Sequence, residues 1–390
     1  MSHVPLGSIF GGGAGNSLLT FLQHQDFLEI DLILPLFIGH VLKWPEIIVQ
    51  ARNQKPSSVR KIFFLPLPFD LCFEGAPSSY RAINAYFVNK LIAYIFLPVM
   101  KKLLQNKNYR FVYLNSLVLH DLIRSSEKKC VLHIREVVDY KYARYPKVIK
   151  NLEQAAGLIF IDYRTYKAYD KDSAKAPLPC HRIINNPFDM HLARKWHKEK
   201  RKIIAELNLT PVSEKIFVYI GNIHPIKGVD FIIKAFVYAA PPNSKLIIVG
   251  TGNNQYLEFC SSLSKKENVI FMGMLKFANM QKIYAMADYV LRGDPDFRIG
   301  RTTFEALYAG GSVIIPGCEE DLKNEPDLLP FRSRIFFYNP QDIDSLSKVI
   351  NEASLLDINI KSQEMPSGNI DKHCEEMKNF IQTCLLIKTP

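Results

Sequence analysis

The chain has 390 residues, 48% hydrophobic and 22% charged, a balance that excludes an intrinsically disordered protein and leaves room for two domains with separate cores. Its formal charge is +11, all of it from one half: residues 1–200 carry 28 Lys+Arg against 16 Asp+Glu, residues 201–390 carry 21 against 22. Seven scattered cysteines (Cys72, Cys130, Cys180, Cys260, Cys318, Cys374, Cys384) form no Cys-x-x-Cys pair, which argues for reduced thiols in a cytoplasmic setting and against a zinc site or disulfide frame.

The start, MSHVPLGSIFGGG, lacks the basic region and long apolar core of a signal peptide. The apolar runs IDLILPLFIGHVL and LIAYIFLPVM are too short, or too broken by charge, to span a bilayer. A soluble chain is expected. GGGAGN (11–16) precedes a predicted helix, so the N–H groups of Gly12 and Gly13 could line an anion; a tight turn explains them equally well. Only ten residues precede these glycines, so a strand before them would be very short or absent. Apolar strands are predicted at KIFFLPL (61–67), FVYLNS (111–116), CVLHI (130–134) and LIFID (158–162). His133 ends one of them, with Glu136 the nearest acid to orient it; a histidine there is a base, a hydrogen-bond partner or a structural residue. RIINNPF (182–188) reads as a last strand running into a basic linker, ARKWHKEKRK (193–202).

The second half alternates more cleanly. Strand KIFVYIG (215–221) leads to a helix at 228–240, in which Val229, Ile232, Ile233, Phe236 and Val237 form one apolar stripe. Strand KLIIVG (245–250) precedes a helix near 253–264, NVIFMG (268–273) one near 277–286, and DYVL (288–291) a loop and helix carrying Glu305. GSVIIP (311–316) is the next strand. Strands apolar on both faces, alternating with amphipathic helices, predict a parallel doubly wound α/β sheet, whose ligands sit beyond the carboxyl ends of the strands. The domains read as 1–195, a linker at 196–212, a second domain at 213–365, and a C-terminal helix within 366–390 placed to pack back on the first domain.

Four segments in order, YIGNIHPIKGVDFIIKAF (219–236), LIIVGTG (246–252), VIFMGML (269–275) and GRTTFEALYAGGSVIIPG (300–317), resemble the nucleotide-sugar half of GT-B-fold glycosyltransferases, most closely the retaining family 4 type. GGGAGNS, VLHIRE, AAGLIFID and INNPFD resemble its acceptor-side domain more faintly. The resemblance implies a GT-B fold, two doubly wound Rossmann-like domains facing across a cleft, and transfer of a sugar from a nucleotide diphosphate, with retention and without a metal or cofactor. A UDP sugar is the expected donor, and cell-surface polysaccharide or glycolipid synthesis the expected setting. It places Gly12, Gly13, Gly221, Asn222, Lys227, Gly252, Met274, Leu275, Arg298, Arg301, Thr302 and Glu305 at the donor, with His133, Lys227 and Glu305 as catalytic residues.

Two positions depart from the family pattern. Asn222 stands where an arginine accompanies Lys227 on the donor diphosphate, and Arg298 or Arg301 is expected to replace it, because preplaced cations stabilise the charge left on the departing oxygens. Phe297 stands where the first of two glutamates, eight positions apart, contacts the sugar. Glu305 matches the second glutamate, which accepts hydrogen bonds from the ribose diol; a carboxylate favoured at a helix start is the simpler alternative. Asp294-Pro-Asp296 imitates the Asp-x-Asp metal motif of another glycosyltransferase fold but reads better as a loop. A non-catalytic nucleotide- or glycan-binding relative, an epimerase or an inverting transferase remain open at this point.

The basic residues fall on the acceptor half, although the donor is the anion. Within 85–110, an apolar helical stretch lies beside Lys90, Lys101, Lys102, Lys107 and Arg110. Together these point to a peripheral protein on the cytoplasmic face of an anionic membrane, using a glycan or lipid-linked acceptor. No zinc spacing, recognition helix or aromatic RNA-binding motif supports a nucleic-acid partner.

Overall fold

The computed structural model describes residues 13–67, 98–99, 102–105, 108–137, 145–170, 178–197, 199–207, 215–264, 268–275, 277–356 and 366–386. The chain divides into two compact units, Met1–Pro187 with Ile370–Pro390, and Phe188–Asn369.

The first unit runs α1 (Gly13–His24), β1 (Ile30–Phe37), α2 (Trp44–Asn53), β2 (Val59–Leu67), β3 (Phe111–Leu114), β4 (Lys129–Ile134), α3 (Tyr145–Leu152), β5 (Gly157–Phe160), α4 (Tyr163–Asp170) and β6 (His181–Ile183). The strands form a parallel pair, β1–β2, and a parallel four-stranded sheet in the order β3–β4–β5–β6. The apolar run IDLILPLF proves to be a strand. Leu32, Ile33, Leu34 and Leu36 are all buried, and burial on both faces replaces the alternation that marks a half-buried strand. A cavity of about 420 Å³ lies between β1 and β3, lined by Leu32, Ile33, Phe111 and Val112 together with Leu18 and Phe21 of α1.

On one face of the four-stranded sheet, Leu132, Ile134, Leu158 and Phe160 pack with Val148 and Leu152 of α3. On the other, Val131 and Ile159 meet Leu18 and Phe21 of α1 and Met377, Phe380 and Cys384 of the C-terminal helix (Ile370–Leu386). That helix lies so close that a Cβ on Gly157 would stand 2.2 Å from Cys384 Sγ, and Lys129 Nζ donates to Leu385 O at 2.7 Å. Most of the 85–110 stretch lies outside the described residues. Among those described, no helix is long and apolar enough to cross a membrane.

The second unit opens with α5 (His191–His197) and α6 (Lys200–Glu206), then β7 (Lys215–Ile220), α7 (Val229–Ala239), β8 (Ser244–Val249), α8 (Asn254–Ser262), β9 (Val269–Gly273), α9 (Phe277–Met286), β10 (Tyr289–Leu291), α10 (Arg301–Ala309), β11 (Ser312–Pro316), β12 (Ile335–Tyr338) and α11 (Ile343–Leu355). Its six parallel strands stand in the order β12–β11–β10–β7–β8–β9. The linker expected at 196–212 is corrected through residue 206. The basic stretch is helical and amphipathic, with Ala193, Ile203 and Ile204 buried in the core of this unit and Trp196 packed against it. Accordingly the unit begins at Phe188, not at 213, and the first unit's leading segment ends at Pro187, not at 195, with the Phe188 ring stacked on Phe304 at 5.2 Å.

Candidate active site

The strand order reverses at β7. From there β8 and β9 step outward on one side, while β10, β11 and β12 step outward on the other. The loops leaving β7 and β10 therefore part in opposite directions, and in parallel α/β sheets such a switch point is where a ligand finds a crevice. The loops stay in contact through glycine. Gly228 adopts φ +59°, and a Cβ there would stand 2.0 Å from Gly293 O, so only glycine lets the two backbones meet. Gly250 and Gly252 serve a similar close approach: a Cβ on Gly250 would stand 1.8 Å from Gly221 O, and Ile223 bridges Gly252 in parallel, where a Cβ would stand 1.9 Å from Ile223 O.

Where β10 ends, the chain reads Arg292-Gly293-Asp294. Asp294 is 2% exposed and holds two cations. Arg292 donates to Asp294 Oδ2 from Nε at 2.9 Å and Nη2 at 2.5 Å, and Lys227 Nζ reaches Oδ1 at 3.2 Å. Arg292 Nη1 also donates to Thr302 Oγ1 at 3.1 Å, while its carbonyl accepts from Tyr338 OH at 2.7 Å. Asn222 is exposed, and its carbonyl accepts from Tyr219 OH at 2.8 Å. Both carboxylates of the Asp-Pro-Asp stretch are occupied by arginine, since Arg298 grips Asp296. No group of three or more His, Cys, Asp or Glu side chains that could hold a metal ion occurs among the described residues.

Glu305 is the fifth residue of α10, which has no acid in its first turn. The helix-start explanation therefore fails: this carboxylate lies one turn in and is 8% exposed. Its Oε2 accepts from Tyr284 OH at 2.5 Å and its Oε1 from Arg301 Nε at 2.6 Å. Burial, and then the charge on Glu305, hold the Tyr284 phenol well above its ordinary pKa. A carboxylate offers about four lone-pair sites, so roughly two remain for another donor. Phe297 packs against the core, within reach of Gly317.

Each arginine of this loop, Arg292, Arg298 and Arg301, is paired with a carboxylate. Arg301 is spent on Glu305 and lies over the Phe188 ring at 5.1 Å; Arg298 is spent on Asp296. Arg292, which the sequence reading missed, is the arginine at the switch point. Its signal was an arginine directly after a buried strand with an acid two residues on. Thr302 joins this cluster through Arg292. Met274 and Leu275 follow β9, the edge strand, two places from β7; Met274 is exposed and Leu275 rests on the core.

In the first unit His133 is 1% exposed. Its Nδ1 faces Tyr113 OH at 2.5 Å and Arg135 Nη2 at 3.3 Å, while Nε2 is buried without a hydrogen-bond partner. Arginine can only donate, so Nδ1 is the acceptor and the proton resides on Nε2. Burial first, then the charges of Arg135 and His373, push the imidazole pKa well below its ordinary value. The expectation that Glu136 orients His133 is corrected: Glu136 accepts from Ser116 Oγ at 2.7 Å and Leu117 N at 3.0 Å. Asn115 accepts from Arg135 at 2.9 Å and donates to Ala14 O at 3.4 Å, near the start of α1. Gly13 is the first residue of that helix; Gly12 lies outside the described residues.

Residues 200–368 match the family model described as glycosyl transferases group 1. An uncharacterized glycosyltransferase of Methanocaldococcus jannaschii is 28% identical over 146 residues, 36% of this chain and 37% of that protein; the chain thus spans little more than a third of that relative. Among solved structures, Anabaena HepE in complex with UDP and glucose is 16% identical with a TM-score of 0.68, over 95% of this chain and 96% of that one. Sucrose-phosphate synthase from Thermosynechococcus elongatus is 14% identical with a TM-score of 0.62, over 99% and 95%. The expected GT-B fold is the fold of this chain.

Proposed function

From a glycosyl transferases group 1 domain at residues 200–368 and the GT-B fold, we propose that this protein is a glycosyltransferase using a UDP sugar. The acceptor hydroxyl oxygen bonds to the anomeric carbon as the anomeric carbon–phosphate oxygen bond breaks. The electron pair departs with the nucleoside diphosphate, whose leaving oxygen takes up the hydroxyl proton. Retention of configuration is part of the proposal. The observation that carries it is the meeting of Lys227, Arg292 and Thr302 around Asp294 at the switch point, in the loops flanking the Glu305 helix. Side-chain cations there would meet the leaving-group charge without a metal, and Glu305 keeps lone pairs for the ribose diol. His133 is neutral at pH 7 and enters as a hydrogen-bond donor through Nε2–H, not as a base.

A thermal-shift screen of UDP, GDP, ADP and CMP sugars tests the donor, since a ligand that binds the folded state raises apparent stability. Stabilisation by a UDP sugar is expected, and slow hydrolysis of that sugar separates an enzyme from a non-catalytic binder. Stabilisation by none of them would refute the proposal. The anomeric configuration of the product, read by NMR, tests retention.

The charge of residues 1–200, 28 basic against 16 acidic, supports a lipid-linked acceptor at the cytoplasmic face of an anionic membrane, in glycolipid or polysaccharide synthesis. Co-sedimentation with anionic vesicles that weakens with salt is expected. A protein that stays in the supernatant at low salt would favour a soluble acceptor.

A further inference from the structure

We propose that Cys180 and Cys384 are a site of reversible oxidative modification, at which a hydroperoxide joins them as a disulfide and staples the C-terminal helix to the start of β6. This does not depend on the reaction proposed above.

The two thiols are far apart in sequence and meet only in the fold. β5 and β6 pair with Leu158 opposite His181, and Leu158 N donates to Cys180 O at 2.9 Å. Gly157 and Cys180, each one residue earlier, are therefore neighbours on one face of the sheet, about 4.8 Å apart. The C-terminal helix packs on that face and seats Cys384 Sγ over Gly157, 2.2 Å from where a Cβ would stand. A disulfide demands a close approach of two backbones, Cα to Cα about 4.4–6.8 Å, and Gly157 is what lets the helix come so near this sheet. Cys180 packs against the same core that buries Cys384, and the two side chains are within hydrogen-bonding reach of one another.

Their environments differ in a way that orders the chemistry. Both are free thiols, Cys180 partly exposed and Cys384 buried. Burial, and then the neighbouring Cys180, push the Cys384 thiol up to about 12, so it stays protonated and peroxide meets Cys180 first. The Cys180 thiolate attacks one peroxide oxygen, the O–O bond breaks, and the departing hydroxide takes up the thiol's proton as water, leaving a sulfenic acid. Cys384 Sγ then attacks the Cys180 sulfur. The S–S bond forms, the S–O bond breaks, and hydroxide leaves as water with the Cys384 proton. Two thiols thus give two electrons to one peroxide, and a thiol reductant reverses the link by exchange.

The path of the chain gives the bond its effect. The chain leaves the first unit after Pro187 and returns at Ile370. Cys180 precedes the exit and Cys384 follows the return, so the disulfide closes a covalent loop that contains the whole second unit. A loop of that length restricts the unfolded chain strongly, and the bond holds Met377, Phe380 and Ile381 on the core they share with α1, β4 and β5.

The test is peptide mapping of the full chain after brief exposure to equimolar hydrogen peroxide, with remaining thiols alkylated before trypsin. The expected product is tryptic peptide 176–182 linked to 379–388 and released by dithiothreitol. In urea the same oxidation should scatter links among the 7 cysteines, because only the fold selects this pair. Cys384→Ala should leave Cys180 as a sulfenic acid trapped by dimedone, whereas Cys180→Ser should leave Cys384 a thiol. Oxidation should raise the urea midpoint of the first unit, read by Trp44 fluorescence in a Trp196→Phe background. Cys180→Ser, which keeps the buried packing of Cys384, should abolish that shift. A folded wild type in which peroxide leaves residues 180 and 384 unlinked, with Cys180 intact or carried on to sulfinic acid, would overturn the proposal.

Discussion

The contact between Tyr284 and Glu305 is open to a double-mutant cycle. Both groups are buried, and the phenol donates to the carboxylate at 2.5 Å. Tyr284→Phe removes one charge-assisted hydrogen bond, costing about 1.5–3 kcal/mol. Glu305→Gln keeps an acceptor for the phenol but strips the counter-charge from Arg301, whose side chain is 15% exposed. Breaking a buried pair costs about 3–5 kcal/mol; the residual solvent and the Phe188 ring beneath Arg301 place this case near the lower end. Because both changes act on one carboxylate, the double mutant should be milder than the sum by about 1 kcal/mol. Urea unfolding followed by Trp196 fluorescence in a Trp44→Phe background reports on the second unit, since the chain has only 2 tryptophans and Trp196 packs on that core. Additivity within about 0.3–0.5 kcal/mol would refute a shared carboxylate. Glu305→Gln should also weaken UDP binding, and a variant that loses stability but keeps full affinity would reduce Glu305 to a strut.

Three further outcomes are expected. The His133 and His373 pKa values lie below the ordinary histidine value, His373 at about 4, through burial first. The unfolded chain therefore binds more protons between pH 4 and about 6.5, so the contribution is complete above 6.5 and falls with acidification by up to about 1.4 kcal/mol per pH unit for each histidine; His373→Gln should flatten the dependence of the urea midpoint on pH. Gly273→Ala, at φ +67° in open space, should cost only the left-handed backbone penalty of about 1–2 kcal/mol. Gly228→Ala should cost clearly more because its Cβ meets Gly293 O, and equal midpoints for the two would refute that contact. Deleting residues 370–390 should uncover Leu18, Phe21 and Ile159, making the first unit bind a hydrophobic dye and yield to protease while residues 188–369 keep their melting transition.

The second unit was the more legible in sequence. β7, β8 and β9 announce themselves by buried apolar runs closed by glycine, and α7 by its stripe; these are local signals, set by periods of two and 3.6 residues. Local signals also placed Lys227 in the loop after β7 and Glu305 on the helix after β10, though at its start and not one turn in. They could not show that β10 lies beside β7, because strand order is a long-range pairing with no trace in the spacing of either strand. Arg292 was missed for that reason: its importance comes from meeting Lys227 and Thr302 across a switch point. The basic stretch at 193–202 misled because charge density suggests a linker, whereas Ala193, Ile203 and Ile204 face a core that exists only after folding. The C-terminal helix belongs to the first unit for the same reason, since the surface it covers is made by α1, β4 and β5. What the sequence determined alone was element type from β7 to β11, fold class and the chemistry available in each loop. Tertiary structure decided which charges share a carboxylate, because a buried charge takes its partners from whatever the fold brings within hydrogen-bonding distance.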